Sequence, residues 1–246
     1  GIITTVAGGG AAQPADGVPA TSVALWPEGL AVAPDGSFYV TSYTGFRVFR
    51  VGTDGLIYRV AGGGAIGTSQ NPPNEVPARD ANLSPLWGGL ALDTGGNLYV
   101  TFNRHVARVD PGGMLTLVVG PVNGSSYADG VPALEVRLDT PEDVTVGPDG
   151  ALYIADSGQD KVRRVAIGGR VATLAGGGTQ VLSGSVNDIP ARQANLAPIR
   201  ARVAPDGTLR IVESIGGTIV RQQLVVAQGM MPATSGSPLT VASPDG

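Results

Sequence analysis

Pro27-Glu28-Gly29-Leu30-Ala31-Val32-Ala33-Pro34-Asp35-Gly36 decides the fold, because the chain repeats it. Later echoes run from Trp87 to Gly96, Pro141 to Gly150 and Pro198 to Gly207, and their closing glycines lie 60, 54 and 57 residues apart. A short apolar run closed by Asp-Gly or an equivalent reads as a strand ending in a tight turn. A second strand follows each turn: Phe38-Tyr39-Val40, Leu98-Tyr99-Val100, Leu152-Tyr153-Ile154 and Leu209-Arg210-Ile211. A third spans Arg47 to Val51, His105 to Val109, Lys161 to Val165 and Thr218 to Gln222. A fourth, Leu56 to Ala61, Leu115 to Val119 and Val171 to Ala175, usually ends in a glycine triplet such as Gly62-Gly63-Gly64.

The unit is therefore strand, Asp-Gly turn, strand, loop, strand, Gly turn, strand. Units fall at 27–64, 87–120, 141–178 and 198–229, with partial units at 1–10 and 237–246, and 1–246 is expected to be a single propeller segment. The chain opens on a fourth segment, Ile2 to Gly10, and its tail is read as the first strand of a fifth unit. Leu239 and Val241 lie one place out of phase with Leu30 and Val32, and a slip of one residue reverses the faces of a strand. The first strand alternates large and small residues, Leu30 and Val32 against Ala31 and Ala33, which suits the innermost strand of a wedge-shaped blade. Both faces are largely uncharged, whereas a sandwich with a solvated face shows more polar alternation. The expected fold is an all-β propeller with about four to five four-stranded blades in this chain.

A connector with its own repeat joins fourth to first strands: Val18-Pro19-Ala20 to Leu25, Val76-Pro77-Ala78 to Leu83, Val131-Pro132-Ala133 to Leu138, and Ile189-Pro190-Ala191 to Leu196. Proline at a first helical position predicts one short helical turn in each. Asp16, Asp129 and Asp188 precede these turns and read as cap or turn residues, with cation ligation as the alternative.

Composition narrows the function. Charged residues make up only 15% of the chain, and the net charge of −4 disfavours a nucleic-acid partner, which needs excess cations to displace counterions from phosphates. The absence of cysteine excludes disulfides and thiol chemistry, and His105, the single histidine, cannot build a multi-histidine metal site. No apolar run is long enough for a transmembrane segment. The chain begins at Gly1 in mid-pattern, without initiator Met or signal peptide, and is expected to be a processed product or a fragment.

The Pro-Glu-Gly-Leu-Ala-Val-Ala-Pro-Asp-Gly run, and Leu152-Tyr153-Ile154-Ala155-Asp156-Ser157-Gly158 followed by Val162-Arg163-Arg164-Val165, resemble NHL repeats across almost the whole chain. Gly1-Ile2-Ile3-Thr4-Thr5-Val6-Ala7-Gly8 and the Asp-Gly-Val-Pro-Ala connectors are similar to the NHL propellers that precede the YD-repeat shell of teneurins and bacterial RHS-type proteins. The family's Asn-His pair is replaced by Gln159-Asp160 in the third unit and by Gly45-Phe46 in the first, and its usual six blades exceed the four and a half read here. The resemblance implies an NHL-type β-propeller, part of a six-bladed ring, in a large secreted or cell-surface protein. Its partner would be a protein or the adjacent domains of the same polypeptide.

Catalysis in a propeller would draw on inner-strand residues, here Glu28, Gly88, Glu142 and Ile199, with Asp143 beside the third. Propeller lactonases are similar in placing a glutamate there to bind a divalent cation that polarises the ester carbonyl. Glu28, Glu142 and Asp143 are accordingly the metal candidates under an alternative lactonase or esterase reading; otherwise they are solvated residues where the strand begins. Ser157 lacks a nucleophile elbow and a matching histidine, and Asp156 and Ser157 are expected to close the second-strand loop through side-chain hydrogen bonds. A basic rim of Arg47, Arg50, Lys161, Arg163 and Arg164 supports a second alternative, an RNA-binding NHL domain. The reading adopted assigns no catalytic residue, no metal and no cofactor, and expects a non-enzymatic binding scaffold.

Overall fold

The computed structural model describes residues 1–68, 71–120, 126–166, 168–181, 189–204, 208–215, 218–225 and 238–241. It divides into two compact units, Gly1–Leu117 and Val118–Gly246. Each unit contains two antiparallel sheets built from the repeat.

In unit 1 the first sheet consists of β1 (Pro27–Val32), β2 (Phe38–Ser42), β3 (Arg47–Val51) and β4 (Leu56–Gly62). The second consists of β5 (Leu86–Leu92), β6 (Leu98–Phe102), β7 (His105–Val109) and β8 (Met114–Val119), whose last two residues cross into unit 2. In unit 2 the third sheet holds β9 (Pro141–Val146), β10 (Leu152–Asp156), β11 (Lys161–Val165) and β12 (Val171–Gly176). The fourth holds β13 (Pro198–Val203), β14 (Thr208–Ile215), β15 (Thr218–Val225) and β16 (Pro238–Val241). All four are meanders in chain order, the four-stranded blades of a β-propeller.

The turns follow from local chemistry. Asp35 Oδ1 accepts the Ser37 N–H, and Asp93 Oδ1 accepts those of Gly95 and Asn97, while Gly36 and Gly96 take φ values of 86° and 80°. In each turn an aspartate supplies the Asx acceptor, and a glycine one or three residues on is free to adopt left-handed geometry.

The connectors differ from expectation in one respect. Proline caps the short helix instead of opening it: Pro19, Pro77 and Pro190 each precede a three-residue 3-10 turn, with ψ near 126–129°. The preceding Val-Pro or Ile-Pro pair is extended and adds a two-residue arm to an outer strand, as Val18↔Ile57 and Val76↔Leu115 show. Pro238–Val241 also departs from expectation. It pairs with β15 and with the Ile189–Pro190 arm, which is the place of a fourth strand and not of a fifth unit's first.

Apolar side chains of neighbouring sheets form the cores. In unit 1, Val48 and Ala61 of the first sheet join Leu86, Leu90, Val100, Phe102 and Leu115 of the second. In unit 2, Tyr153, Ala155, Val162 and Ala175 of the third sheet join Ala201, Leu209 and Ile211 of the fourth.

Candidate functional site

Every first strand carries a register irregularity where it begins: Pro27/Leu30, Leu86/Leu90, Pro141/Asp143 and Pro198/Arg200. Glu28, Gly88, Glu142 and Ile199, the inner-strand positions on which catalysis would draw, fall on these bulges. A bulge re-aims a side chain and leaves a backbone group without its ladder partner. In unit 1 that group is met by the second strand, since Thr41 Oγ1 accepts the Gly29 N–H at 2.7 Å and Thr101 Oγ1 that of Gly89 at 3.0 Å.

Backbone crowding at these bulges is severe. A Cβ on Gly29 would lie 1.5 Å from the Gly88 carbonyl oxygen, and one on Gly88 would lie 2.9 Å from Glu28 Cβ. Only glycine lets β1 and β5 approach this closely. Glu28 itself is exposed.

Unit 2 places charge where unit 1 places glycine. Asp143, only 1% exposed, accepts the Ala201 N–H at 3.0 Å and pairs with the Arg202 guanidinium. Burial raises its pKa, an effect that Arg202, the Ala201 N–H and Arg200 partly offset. Glu142 accepts the Ser157 hydroxyl at 3.1 Å and lies 4.0 Å from Arg200. The result is a polar cluster of Glu142, Ser157, Arg200 and Arg202 over a buried, neutralised aspartate.

A calcium site asks for six or more oxygens, yet Asp143 is occupied by a guanidinium and a backbone N–H. Among the described residues no three His, Cys, Asp or Glu side chains converge as a metal set. The cluster can donate hydrogen bonds through Arg200 and Arg202, both partly exposed, and accept them through Glu142.

Three of the four second strands, β6 with its Phe102 excepted, end in a feature that only partly showed in the sequence. Asp156, fully buried, accepts the N–H groups of Asp139 and Thr140 through one oxygen, at 2.9 and 3.1 Å. Ser42 Oγ accepts the Trp26 N–H at 3.4 Å at the equivalent position, and Glu213 takes that of Ala197. These side chains latch the incoming connector onto the sheet. Ser157 adds a hydrogen bond to the Thr140 carbonyl, so Asp156 and Ser157 close the loop as expected.

The connector aspartates are structural. Asp16 accepts the Arg59 N–H at 2.7 Å, and Asp129 accepts both the N–H and hydroxyl of Thr173. Asp188 lies outside the described residues. Beside Asp129 a polar cavity of about 340 Å³ is lined by Tyr127, Lys161, Thr173 and Arg192. The supposed basic rim is largely spent: Arg50 pairs with Asp35, Arg164 with Asp149, and Arg163 is buried against Tyr127 and Ala128 carbonyls. His105 is buried too, its ring 5.5 Å from that of Phe102.

No protein-family model matches the chain. Teneurin-3 of Danio rerio is 28% identical to it, over 93% of this chain and 9% of the relative, and Teneurin-m of Drosophila melanogaster is 27% identical, over 61% and 6%. The chain thus spans less than a tenth of the length of these curated relatives. Among solved structures, an auxiliary nutrient binding protein from Bacteroides thetaiotaomicron superposes with a TM-score of 0.54 at 20% identity, over 75% of this chain and 44% of that one. A virginiamycin B lyase from Staphylococcus aureus (TM-score 0.44, 17% identity, 80% and 66% covered) and a gluconolactonase from Xanthomonas campestris (0.46, 17%, 89% and 86%) are also similar. These likenesses are of fold. They correct one expectation nevertheless: enzymes are among the structures this chain resembles, so the expectation that it is not an enzyme does not stand.

Proposed function

We propose that this chain is a β-propeller segment of NHL type within a large YD-repeat protein, secreted or held at the cell surface, and that it presents a rigid binding surface. The similarity to Teneurin-3 carries the reading, because it runs through nearly all the repeats while occupying 9% of that protein. A module so placed acts through shape. Its sheets are held by mutual burial, its latched connectors restrict loop movement, and its exposed polar groups face a protein partner or adjacent domains of the same polypeptide. The Glu142–Ser157–Arg200–Arg202 cluster is the described surface best suited to directional hydrogen bonding with such a partner.

The test is the coding sequence around this segment, together with protease accessibility of its product on intact cells. A YD-repeat region downstream of Gly246 and cleavage from outside are expected. A different domain there, or protection until the cells are lysed, would overturn the proposal.

A further inference from the structure

The polar cavity of about 340 Å³ beside Asp129 arises from one difference between repeats. Thr173 of β12 and Arg59 of β4 hold the same place. Each donates its N–H to a connector aspartate, Asp129 or Asp16, and each follows the same bulge, opposite Arg163 or Phe49. The Arg59 guanidinium donates through Nη1 to the carbonyls of Gly62 and Arg79. The counterparts of those two residues, Gly176 and Arg192, line the cavity together with Thr173. A short threonine in place of arginine therefore leaves open the space that a guanidinium fills in unit 1.

Positive charge stays although that arginine is gone. Arg163 stands where the first and second sheets have Phe49 and Ala107, and it is 1% exposed. Its guanidinium lies 3.4 Å from Asp129, and among the described residues its Nε meets no acceptor. Arg192 pairs with Asp129 through Nη2, which leaves it further N–H donors to offer. Lys161, the single lysine of the chain, also lines the cavity, and among the described residues its ammonium makes no hydrogen bond or ion pair. Its stem runs so close to Gly177 that a Cβ there would lie 2.7 Å from Lys161 Cε. Glycine at 177 thus lets the lysine lie against the backbone. Lys161, Arg163 and Arg192 stand against Asp129, the one carboxylate of the lining. A further cation in the vacant space would add to their repulsion, whereas an anion is attracted by all three.

We propose that this cavity binds an acidic side chain, Asp or Glu, of the protein partner. A carboxylate placed there accepts from Lys161 and from the remaining donors of Arg192, and it balances the guanidinium buried behind Asp129. The volume is on the scale of a site for a small organic group and exceeds what a bare ion needs. The second repeat offers no such site, because Asn74 and Leu117 stand in place of the aspartate and the threonine. The inference deepens the reading of this chain as a binding module and rests on it.

The single lysine makes the test direct. Protein grown with carbon-13 lysine gives one ε-methylene signal, that of Lys161. A saturable shift of this signal is expected in the millimolar range with the blocked peptide Gly-Glu-Glu-Gly, and none with Gly-Gln-Gln-Gly. Arg192→Gln removes an exposed partner and should weaken half-saturation about tenfold, the loss of one charge-assisted hydrogen bond. Thr173→Arg restores the side chain that fills this place in unit 1 and should abolish the response while melting stays cooperative. If Thr173→Arg does not fold, the Arg192→Gln titration decides. No saturable shift, an equal response to both peptides, or unchanged half-saturation in Arg192→Gln overturns the proposal. So does inorganic phosphate or sulfate that saturates the signal at lower concentration than the acidic peptide, since the cavity then serves a free oxyanion. A failed titration leaves the YD-repeat placement standing, and a different domain downstream of Gly246 leaves the titration readable.

Discussion

Asp129 and Arg192 stand 63 residues apart in the chain and 2.5 Å apart in space. Asp16 and Arg79 repeat the relationship at the same spacing, at 2.6 Å. In both cases the aspartate also takes a backbone N–H from an outer strand, Thr173 or Arg59. Each therefore ties one connector to its own sheet and to the 3-10 turn of the next.

The two halves of that tie differ in strength. Asp129→Ala strips the Thr173 N–H and hydroxyl of their acceptor and leaves the buried Arg163 without its 3.4 Å ion-pair partner, a loss of about 1–3 kcal/mol. Arg192→Ala removes an exposed pair and should cost less than about 1 kcal/mol. Burial by itself would raise the Asp129 pKa, but Thr173, Arg163 and Arg192 together hold it below the usual value of 3.8. Its contribution is thus present above about pH 4 and lost as pH falls through the lowered pKa. Urea unfolding of the two variants at pH 7 and pH 3 checks both statements.

Glycine substitutions separate crowding from backbone strain. Gly29→Ala drives a methyl into the Gly88 carbonyl and should destabilise unit 1 by about 3 kcal/mol or more. Gly113→Ala has open space around it but a φ of 84°, and should cost about 1 kcal/mol. Differential melting distinguishes them, and a smaller effect at Gly29 than at Gly113 would contradict the close approach of β1 and β5.

The latch at Asp156 depends on an acceptor oxygen and not on charge. Asp156→Asn keeps the acceptor for Asp139 and Thr140 and removes the cost of burying a charge, which raises this carboxyl's pKa, so stability should stay within about 1 kcal/mol of the parent. Asp156→Ala leaves two buried N–H groups unmet and should lose about 2–3 kcal/mol. Chemical denaturation of the pair provides the comparison.

His105 and Glu213 should respond to pH in opposite senses. Burial, helped by Arg104, pushes the imidazole down from 6.5 to about 4. The neutral form is the folded one, so its contribution is complete above about pH 6.5 and falls towards pH 4, by on the order of 3 kcal/mol. Burial pushes Glu213 up from 4.5 to about 7, partly offset by the Ala197 N–H. Its contribution is complete below about pH 4.5 and is lost as pH rises through 7. His105→Phe should make stability fall across this range, and Glu213→Gln should make it rise. Stability curves from pH 4 to 8 test the two slopes.

Strand order, turns and connector arms were legible because they are local. Asp35-Gly36 makes a turn wherever it stands between apolar runs, and a period near 57 residues can only stack like units. The bulge positions were legible only as positions. Glu28 and Glu142 share a place in the repeat, which says nothing of what lies opposite. Glu28 is exposed beside glycine, whereas Glu142 meets Ser157 and approaches Arg200. Asp143 looked like a spare ligand until Arg202, 59 residues on, proved to neutralise it. Arg163 read as a rim cation, but a β-bulge between Val162 and Arg163 accompanies its burial.

By itself the amino-acid sequence determined the four-stranded unit and the turns that join its strands, since alternation and turn chemistry act over a few residues. Tertiary structure alone decided which charges are spent and which apolar surface is left open. Those outcomes depend on side chains roughly one repeat apart meeting across neighbouring sheets. Burial then sets whether a carboxylate is a ligand or half of an ion pair, and whether Leu30 is core or surface.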